Sequence, residues 1–353
     1  MPAAKLTLSI DAMGGDNAPD IVIEGLAHAA KDHPGVRFLV HGPKARIAPL
    51  LARHAQVASA CEVRDVDGII PMDVKPRQAM RQWKSTSLGN AIASVAAKEA
   101  DAVVSAGNTG ALMAIAMLQL RLTPGIDRPA LTASWPTMTG KAVVLDVGAN
   151  VSANAAQLVE FAIMGEAFHR AVFGSARPKV GLLNVGSEDE KGHEEIKAAA
   201  KLMREANVDL DFGGFIEGDD ISKGVVDVVV TDGFTGNIAL KTAEGTAKLV
   251  SAFLKEALTS SLQSKIGALI ASKALRGLKD RMDPRTVNGA VFLGLNGLVV
   301  KSHGGTDGLG FAAAVKVAVR MAQSHFRDEV ATNLARLTAT LAAAQPTPAQ
   351  EAS

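Results

Sequence analysis

A repeated unit restricts the possible folds of this 353-residue chain: a short aliphatic run, then a polar glycine-rich loop, then an alanine- and leucine-rich segment with helical spacing. Its five copies begin at Leu6, Ala102, Ala142, Val180 and Val225. Aliphatic strands that alternate with helices and lack a polar face are typical of a mainly parallel sheet with helices on both sides. The sequence therefore predicts an α/β fold.

Composition excludes several classes of protein. The chain has 37 Lys and Arg residues against 36 Asp and Glu residues, so it lacks the overall positive charge that attracts nucleic acid. Cys61 is the single cysteine, which excludes an internal disulfide, a thiolate zinc site and an iron–sulfur cluster within one chain. Apolar runs such as residues 142–145 are far shorter than the roughly 18 residues of a spanning helix. Residues 6–10 end at once in Asp11, so we expect a cytoplasmic protein without a cleavable signal.

One catalytic domain with subdomains is predicted over residues 1–338, because no Ser/Gly linker divides the chain. Prolines within residues 124–136 indicate either a crossover between two halves of one sheet or a weak domain boundary. Residues 251–285 interrupt the alternation of strands and helices and indicate a helical hairpin. Residues 339–353 have the composition of a flexible tail.

The glycine-rich loops follow the strands, and ligands of an open parallel sheet bind outside the carboxyl ends of its strands. Small residues and helix N-termini favour an anion there, so we expect the five loops to converge on one cleft that binds phosphate. The alternative is that Asn and Gly serve only as turn and helix-cap residues. The candidate substrate-binding residues are Asp11, Gly14, Gly15, Asp16, Ser105, Gly107, Asn108, Thr109, Gly110, Asp146, Asn150, Asn184, Gly186, Glu188, Asp232, Gly233, Thr235, Gly236 and Lys241.

Signatures of other chemistries are missing. The sequence has no dinucleotide-binding G-x-G-x-x-G after a strand, no G-x-x-x-x-G-K-[ST] and no G-x-S-x-G. Its eight histidines include no pair at i, i+4 spacing, so we predict no metal and no cofactor. Charged residues beside the glycines are candidates for proton transfer, although each is also explained as a solvated surface charge: Glu188, Lys191, His193, Lys241, Glu244, Lys301 and His303.

Six strings resemble one family in the same order along residues 5–326: DAMGGDNAP, SAGNTGA, LDVGAN, LLNVGSEDEKG, DVVVTDGFTGNIALKTAEG and VVKSHGG. The chain is similar to the bacterial fatty acyl-ACP:phosphate acyltransferases, the PlsX family. It departs from the family pattern in the VSANAAQ string after Asn150 and at Gly305, where the family has serine.

The resemblance implies transfer of a fatty acyl group from the thioester of acyl carrier protein to inorganic phosphate, giving acyl phosphate for phospholipid synthesis. Phosphate would attack the thioester directly, without a covalent acyl-enzyme. Lys301, His303, Asn237 and Lys191 are the candidate catalytic residues, for holding phosphate, stabilising the oxyanion, or supplying charge or a proton. An acyl-CoA phosphotransacylase and a non-catalytic scaffold that binds carrier protein and membrane remain alternatives.

The family also implies a three-layer α/β/α sandwich similar to isocitrate and isopropylmalate dehydrogenases, and a homodimer. The predicted hairpin combines an apolar helical stripe with a local excess of basic residues, which suits an anionic bilayer or an acidic carrier protein. Packing of the stripe into the core or a dimer interface is the alternative. The residues expected to face the membrane or the carrier protein are Leu258, Leu262, Lys265, Ile266, Leu269, Ile270, Lys273, Arg276 and Lys279. The expected partners are acyl carrier protein, phosphate, a second copy of the chain, the membrane and a membrane glycerol-phosphate acyltransferase.

Overall fold

The computed structural model describes residues 6–206, 208–281 and 283–344. In this part of the chain eleven strands form one sheet. The strands are β1 (Thr7–Asp11), β2 (Arg37–Gly42), β3 (Cys61–Asp65), β4 (Ala102–Ser105), β5 (Ala130–Pro136), β6 (Lys141–Leu145), β7 (Lys179–Leu183), β8 (Asp211–Ile216), β9 (Val228–Val230), β10 (Ala290–Leu293) and β11 (Leu298–Lys301).

Helices connect most of these strands. They are α1 (Asp20–Asp32), α2 (Lys44–Ala52), α3 (Ala55–Ala58), α4 (Pro76–Gln82), α5 (Ser87–Ala96), α6 (Thr109–Leu120), α7 (Ala155–Phe173), α8 (Glu194–Glu205), α9 (Gly218–Lys223), α10 (Gly233–Thr259), α11 (Leu262–Ile270), α12 (Ser272–Arg281), α13 (Gly308–Gln323) and α14 (Phe326–Ala344). Short 3₁₀ turns at Trp83–Ser85 and Pro284–Val287 complete the description.

The sheet has two parallel halves that run in opposite directions. Its strand order is β3-β2-β1-β4-β11-β10-β5-β6-β9-β7-β8. The strands from β3 to β11 in that order are mutually parallel, and so are the strands from β6 to β8. Antiparallel pairing of β11 with β10, of β10 with β5 and of β5 with β6 reverses the direction between them. The carboxyl ends of the two halves therefore lie at opposite edges of the sheet.

This reversal settles the meaning of the proline-rich residues 124–136, most of which form β5 in the middle of the sheet. β5 crosses from one half to the other, so the segment is a crossover within one sheet.

Alternate residues of the strands pack into two separate cores, as the period of two in a strand requires. Leu8, Val104 and Val300 pack on one side with α1, α7 and α13. Val103 and Val299 pack on the other side with α5 and α6. The arrangement is the predicted three-layer α/β/α sandwich with a mainly parallel sheet.

The predicted hairpin begins inside a longer helix than expected. The hairpin was predicted over residues 251–285, but α10 begins at Gly233 and continues for 27 residues, after which α11 and α12 follow. The apolar stripe is exposed: Leu262 by 76%, Leu269 by 74% and Ile270 by 82%. Packing of the stripe into the core of this chain is therefore excluded.

The C-terminal helix α14 extends to Ala344, past residue 339, where we expected a flexible tail to begin. Residues 345–353 of the expected tail lie outside the described residues. Within the described part, no helix is long and apolar enough to cross a membrane.

Candidate active site

A row of polar residues ends three neighbouring strands of the first half. Asp11 of β1 is in register with Ser105 of β4, and Ser105 is in register with Lys301 of β11. Val103 and Val299, two positions earlier, pack in the core that contains α5 and α6. Because side chains two apart in a strand share a face, the three polar side chains point to this same side of the sheet.

Asp11 organises the loops that follow the row. Its carboxylate is 1% exposed and accepts hydrogen bonds from the hydroxyls of Ser87 on α5 and of Ser105, both at 2.7 Å. The Ser105 Oγ in turn accepts the Gly107 N–H at 3.0 Å. Burial raises the pKa of Asp11, while the hydrogen bonds from Ser87 and Ser105 oppose the rise. Asp11 and Ser105, both predicted to bind substrate, are buried, and their described contacts hold the loop.

Backbone contacts join the three loops. The Asp16 N–H donates to Gly304 O at 3.0 Å, and the Ser302 N–H donates to Ser105 O at 2.9 Å. A Cβ atom on Gly14 would lie 2.5 Å from Asp11 Oδ2 and 2.6 Å from Gly107 N, so only glycine allows this approach. The first half thus brings together the predicted residues of the β1, β4 and β11 loops.

Lys301 lies where these loops meet. Its side chain is 8% exposed, and its Nζ donates to Ala106 O at 3.4 Å and to Ser302 O. Burial lowers the pKa of Lys301 to about 8, even though the charges of Asp16 and Asp11 act to raise it. An ammonium group with this pKa is mostly charged at neutral pH and can still release a proton.

His303 is an exposed hydrogen-bond donor next to Lys301. The Gly305 N–H donates to His303 Nδ1 at 3.2 Å, so the neutral ring carries its proton on Nε2. Burial and the charge of Lys301 lower the pKa of His303. Lys241, Glu244 and Lys248 of α10 also act electrostatically on His303, so the first part of α10 borders this edge.

A segment between β3 and α4, residues 66–75, covers part of the site, and we call it the strap. The Asn108 amide donates to Met72 O at 2.6 Å and to Val74 O at 3.2 Å, and its Oδ1 caps α6 by accepting the Ala111 N–H at 2.8 Å. Met72 lies over Gly304, where an added Cβ atom would be 2.7 Å from Met72 Cε. Asn108 therefore connects the strap to the start of α6, where Thr109 and Gly110 lie. Its amide nitrogen already donates to Met72 O and Val74 O.

The loops of the second half follow strands that run in the opposite direction, and they have a hydrogen-bond network of their own. Asp146, which is fully buried, accepts the N–H groups of Leu131 and Ala149 at 3.0 Å and of Asn150 at 2.7 Å. The Asn237 amide donates to Val147 O at 3.0 Å in the same loop.

Helix α10 links the two edges. Asp232 caps its start by accepting the Thr235 N–H at 2.9 Å. Gly233 and Gly236 pack on the Asp146 loop, since added Cβ atoms would lie 2.3 Å from Asn150 O and 2.0 Å from Asp146 O, respectively. One turn beyond Asn237, Lys241 acts on both Lys301 and His303 and pairs with Glu244 at 2.7 Å.

The β7 loop is separate from both groups. The Lys191 Nζ pairs with Glu188 at 3.0 Å, and both side chains are exposed. This is the solvated charge pair that the sequence analysis gave as the alternative to a role in proton transfer. Gly186 lies under this pair, and the Asn184 amide donates to Lys191 O at 3.0 Å. Five strand positions separate β7 from β11, roughly 24 Å at the usual strand spacing. The structure does not bring Lys191 to Lys301 within this chain.

Two site residues were missed by the sequence analysis. Ser87 holds Asp11, and the amide of Asn288 donates to Ser302 Oγ at 2.8 Å while its Oδ1 accepts the His303 N–H at 3.0 Å. The Asn-Gly pair at Asn288 was the only local signal, because the contacts join residues that are distant in sequence.

The arrangement can hold and polarise an anionic ligand, but it presents no evident nucleophile of its own. Cys61 lies on β3, and burial raises its pKa to about 12, so its thiol is protonated at neutral pH. The hydroxyls of Ser105 and Ser302 belong to residues with no exposed surface. The groups that can act on a ligand are the Lys301 ammonium, the His303 Nε2–H donor and the N–H groups of the glycine loops.

Comparison with known proteins agrees with this chemistry. The family model described as "Fatty acid synthesis protein" matches residues 6–329. The chain is 59% identical over 339 residues to a phosphate acyltransferase of Caulobacter vibrioides, covering 96% of this chain and 94% of that protein. It is 57% identical over 331 residues to a phosphate acyltransferase of Maricaulis maris, covering 93% and 94%.

Solved structures with the same fold have much lower sequence identity. The EutD phosphotransacetylase from Staphylococcus aureus has a TM-score of 0.59 at 15% identity, covering 90% of this chain and 94% of that one. A phosphotransacetylase from Streptococcus pyogenes has a TM-score of 0.59 at 16% identity, covering 91% and 94%.

Proposed function

The chain belongs to the fatty acid synthesis protein family of phosphate acyltransferases, and we propose that it transfers a fatty acyl group from acyl carrier protein to inorganic phosphate. The product, acyl phosphate, would supply phospholipid synthesis. The observation that carries the proposal is the buried Lys301 ammonium at the meeting point of three glycine loops, beside the His303 Nε2 donor.

Direct attack by phosphate fits a site with no exposed nucleophile. An oxygen of HPO₄²⁻ forms a bond to the thioester carbonyl carbon, and the carbon–sulfur bond then breaks. The phosphate proton ends on the departing sulfur, so the products are acyl phosphate and a free thiol. Because phosphate itself attacks, no acyl-enzyme is required.

Lys301 and His303 have distinct roles in this scheme. The Lys301 charge attracts phosphate and holds the loops by its bonds to Ala106 O and Ser302 O. His303 Nε2 donates to the oxyanion that develops on the thioester carbonyl. Among the four predicted catalytic residues we retain these two. Asn237 is assigned to holding the Asp146 loop, and Lys191 lies apart.

The identity of the acyl donor needs a test of its own, because an acyl-CoA phosphotransacylase would also use phosphate as the acceptor. We propose acyl carrier protein on the strength of the family resemblance. The test is release of free thiol from palmitoyl-ACP and palmitoyl-CoA, each with and without phosphate. Phosphate-dependent release that favours the carrier-protein donor is expected. Preference for the CoA donor would establish the phosphotransacylase instead, and release that ignores phosphate would refute both.

The exposed stripe of α11 supports a further part of the proposal, peripheral contact with an anionic bilayer. Leu262, Leu269 and Ile270 are exposed, and Lys265 and Lys273 are exposed beside them. Apolar side chains with a basic flank suit the interface of an anionic membrane, where a membrane glycerol-phosphate acyltransferase would take up the product. The side chain of Lys279, also predicted to face the membrane, lies outside the described part of the chain.

We also propose a homodimer formed through α10. Leu249 is exposed by 53%, Val250 by 50% and Phe253 by 61%, an apolar surface of the kind that subunit interfaces cover. The catalytic domain, residues 1–338 with the hairpin as a subdomain, is proposed as the unit that dimerises.

A further inference from the structure

We infer that the basic face of α4 is the docking surface for the acidic carrier protein that delivers the acyl group, an inference that rests on the proposed function. This surface, the α4 face, consists of Lys75, Arg77, Met80, Arg81 and Lys84. It differs from the hairpin surface that the sequence analysis associated with the carrier protein.

The α4 face is strongly basic. Residues 75–84 contain four basic residues and no acidic residue, and all four basic side chains are exposed. Within the described residues, no ion pair uses any of these four side chains. The nearest acidic residue in sequence is Asp73, which is exposed on the strap.

The like charges of the α4 face lower the local stability of the helix. Arg77 and Arg81 follow i, i+4 spacing on α4, so they share one side of the helix and repel one another, and Lys84 adds a further positive charge in the 3₁₀ turn that follows. An acidic partner would remove this repulsion, and complementary charge would also speed its approach.

Apolar side chains accompany the basic ones, as in protein interfaces. Met80 of the α4 face is exposed by 36%, while Ile69 and Met72 of the strap are exposed by 38% and 39%. Exposed Met beside Arg is a composition enriched in interfaces relative to ordinary surface.

The α4 face is continuous with the candidate active site. Pro76, the first residue of α4, packs against Gly110, where an added Cβ atom would lie 2.9 Å from Pro76 Cγ. The preceding strap is bound by Asn108 and lies over Gly304, next to the loop of Lys301. A carrier docked on α4 would present its thioester arm across the strap to Lys301. The basic residues of α11 and α12 follow the end of α10 in the chain.

The test compares the double variant Arg77→Glu/Arg81→Glu with Lys265→Glu/Lys273→Glu, which makes the same charge change on the hairpin. Each protein is assayed with palmitoyl-ACP and with palmitoyl-pantetheine, a thioester without protein or phosphate groups. We expect the α4 variant to raise the KM for palmitoyl-ACP about tenfold, with kcat and palmitoyl-pantetheine turnover preserved. Added salt should raise the KM of the wild type and have little effect on that of the α4 variant.

The dissociation constant for palmitoyl-ACP, measured by fluorescence anisotropy, separates this inference from the proposed function. A wild type that binds the carrier but releases no thiol would refute the function, while weaker binding by the α4 variant alone would still support the docking surface. Equal losses with both donors, a loss in the hairpin variant instead, or unchanged KM and binding would overturn the inference. Loss of sedimentation with anionic vesicles by the α4 variant, with carrier binding intact, would assign this face to a membrane instead.

Discussion

At the scale of single residues, one short polar row organises the candidate site. Lys301, Ser105 and Asp11 are the last residues of adjacent parallel strands, and their side chains leave the sheet on one side. A buried cation and a buried carboxylate are each unfavourable alone, and here carbonyl and hydroxyl groups surround both. The row therefore fixes the loops and supplies charge to the site.

The lowered pKa of Lys301 makes stability depend on pH. Below pH 8 the lysine is protonated in both the native and the unfolded chain. Between pH 8 and the ordinary value of 10.5 the native chain binds fewer protons, so its stability rises with pH. At about 1.4 kcal/mol per pKa unit, the gain over Lys301→Met should be on the order of 3 kcal/mol across this window. Urea unfolding of both proteins at pH 7.5 and pH 10 measures this gain. If the difference in unfolding free energy between wild type and Lys301→Met is the same at both pH values, the burial of a charged Lys301 is contradicted.

Ser105→Ala and Ser87→Ala form a matched pair. Each removes one hydroxyl that donates to the Asp11 carboxylate at 2.7 Å, so each should lower the free energy of unfolding by about 1–3 kcal/mol. Only Ser105 also accepts the Gly107 N–H, so Ser105→Ala should lower phosphate-dependent thiol release more than Ser87→Ala. Urea unfolding and initial rates give the two quantities. Equal losses of activity would show that the Gly107 contact has no role in the site.

At the scale of elements, the strap and α10 border the site from different parts of the chain. Asn108 holds the strap by two carbonyl groups, and α10 brings Lys241 and Glu244 towards His303. Neither contact follows from local sequence, because each joins segments separated by many residues.

Asn108→Ala should release the strap. Loss of its two amide hydrogen bonds leaves Met72 O and Val74 O without this donor, so amide hydrogen exchange in residues 66–75 should become faster. Asn90→Ala is the matched control, because the Asn90 amide donates to Lys84 O and Thr86 O, both at 2.9 Å. Equal exchange of the strap in both variants would show that other contacts hold it.

Leu262→Glu/Leu269→Glu tests the membrane part of the proposal. Both side chains are exposed on α11, so the change should leave the folded chain stable and reduce its sedimentation with anionic vesicles several-fold. Val151→Glu/Val185→Glu is the control for added charge, since those residues are 81% and 75% exposed on loops at the opposite sheet edge. Unchanged vesicle binding by the α11 variant would refute membrane contact through this helix.

Much of the architecture could be predicted from periodicity. The five strands of the repeated unit and their helices are all present, with ends that differ by a few residues. The prediction did not identify β2, β3, β5, β8, β10 and β11. All of these except β11, which leads into a glycine-rich loop and α13, lack the combination of glycine-rich loop and long helix that marked the others. The partners of Asp11 could not be found, because register and packing, not spacing, join it to Ser87 and Ser105.

At the scale of the whole molecule, the reversal of strand direction determines where the site lies. The same glycine-rich signature follows strands in both halves, but β10 and β5 separate them with antiparallel pairing. The sequence carries no local record of that reversal, so its five loops look alike. The loops around Lys301 belong to the first half and the loops around Asp146 and Lys191 to the second half, and α10 runs from the Asp146 loop towards His303.

The most direct test of this location compares two lysines that are both candidate catalytic residues from the sequence. Phosphate-dependent thiol release from palmitoyl-ACP is measured for the wild type, Lys301→Met and Lys191→Met. Loss of the buried charge at the site should reduce the rate of Lys301→Met by about 100-fold or more. Lys191→Met removes an exposed pair with Glu188 and should retain the wild-type rate. An active Lys301→Met protein beside an inactive Lys191→Met protein would place the chemistry at the opposite edge of the sheet and contradict the account.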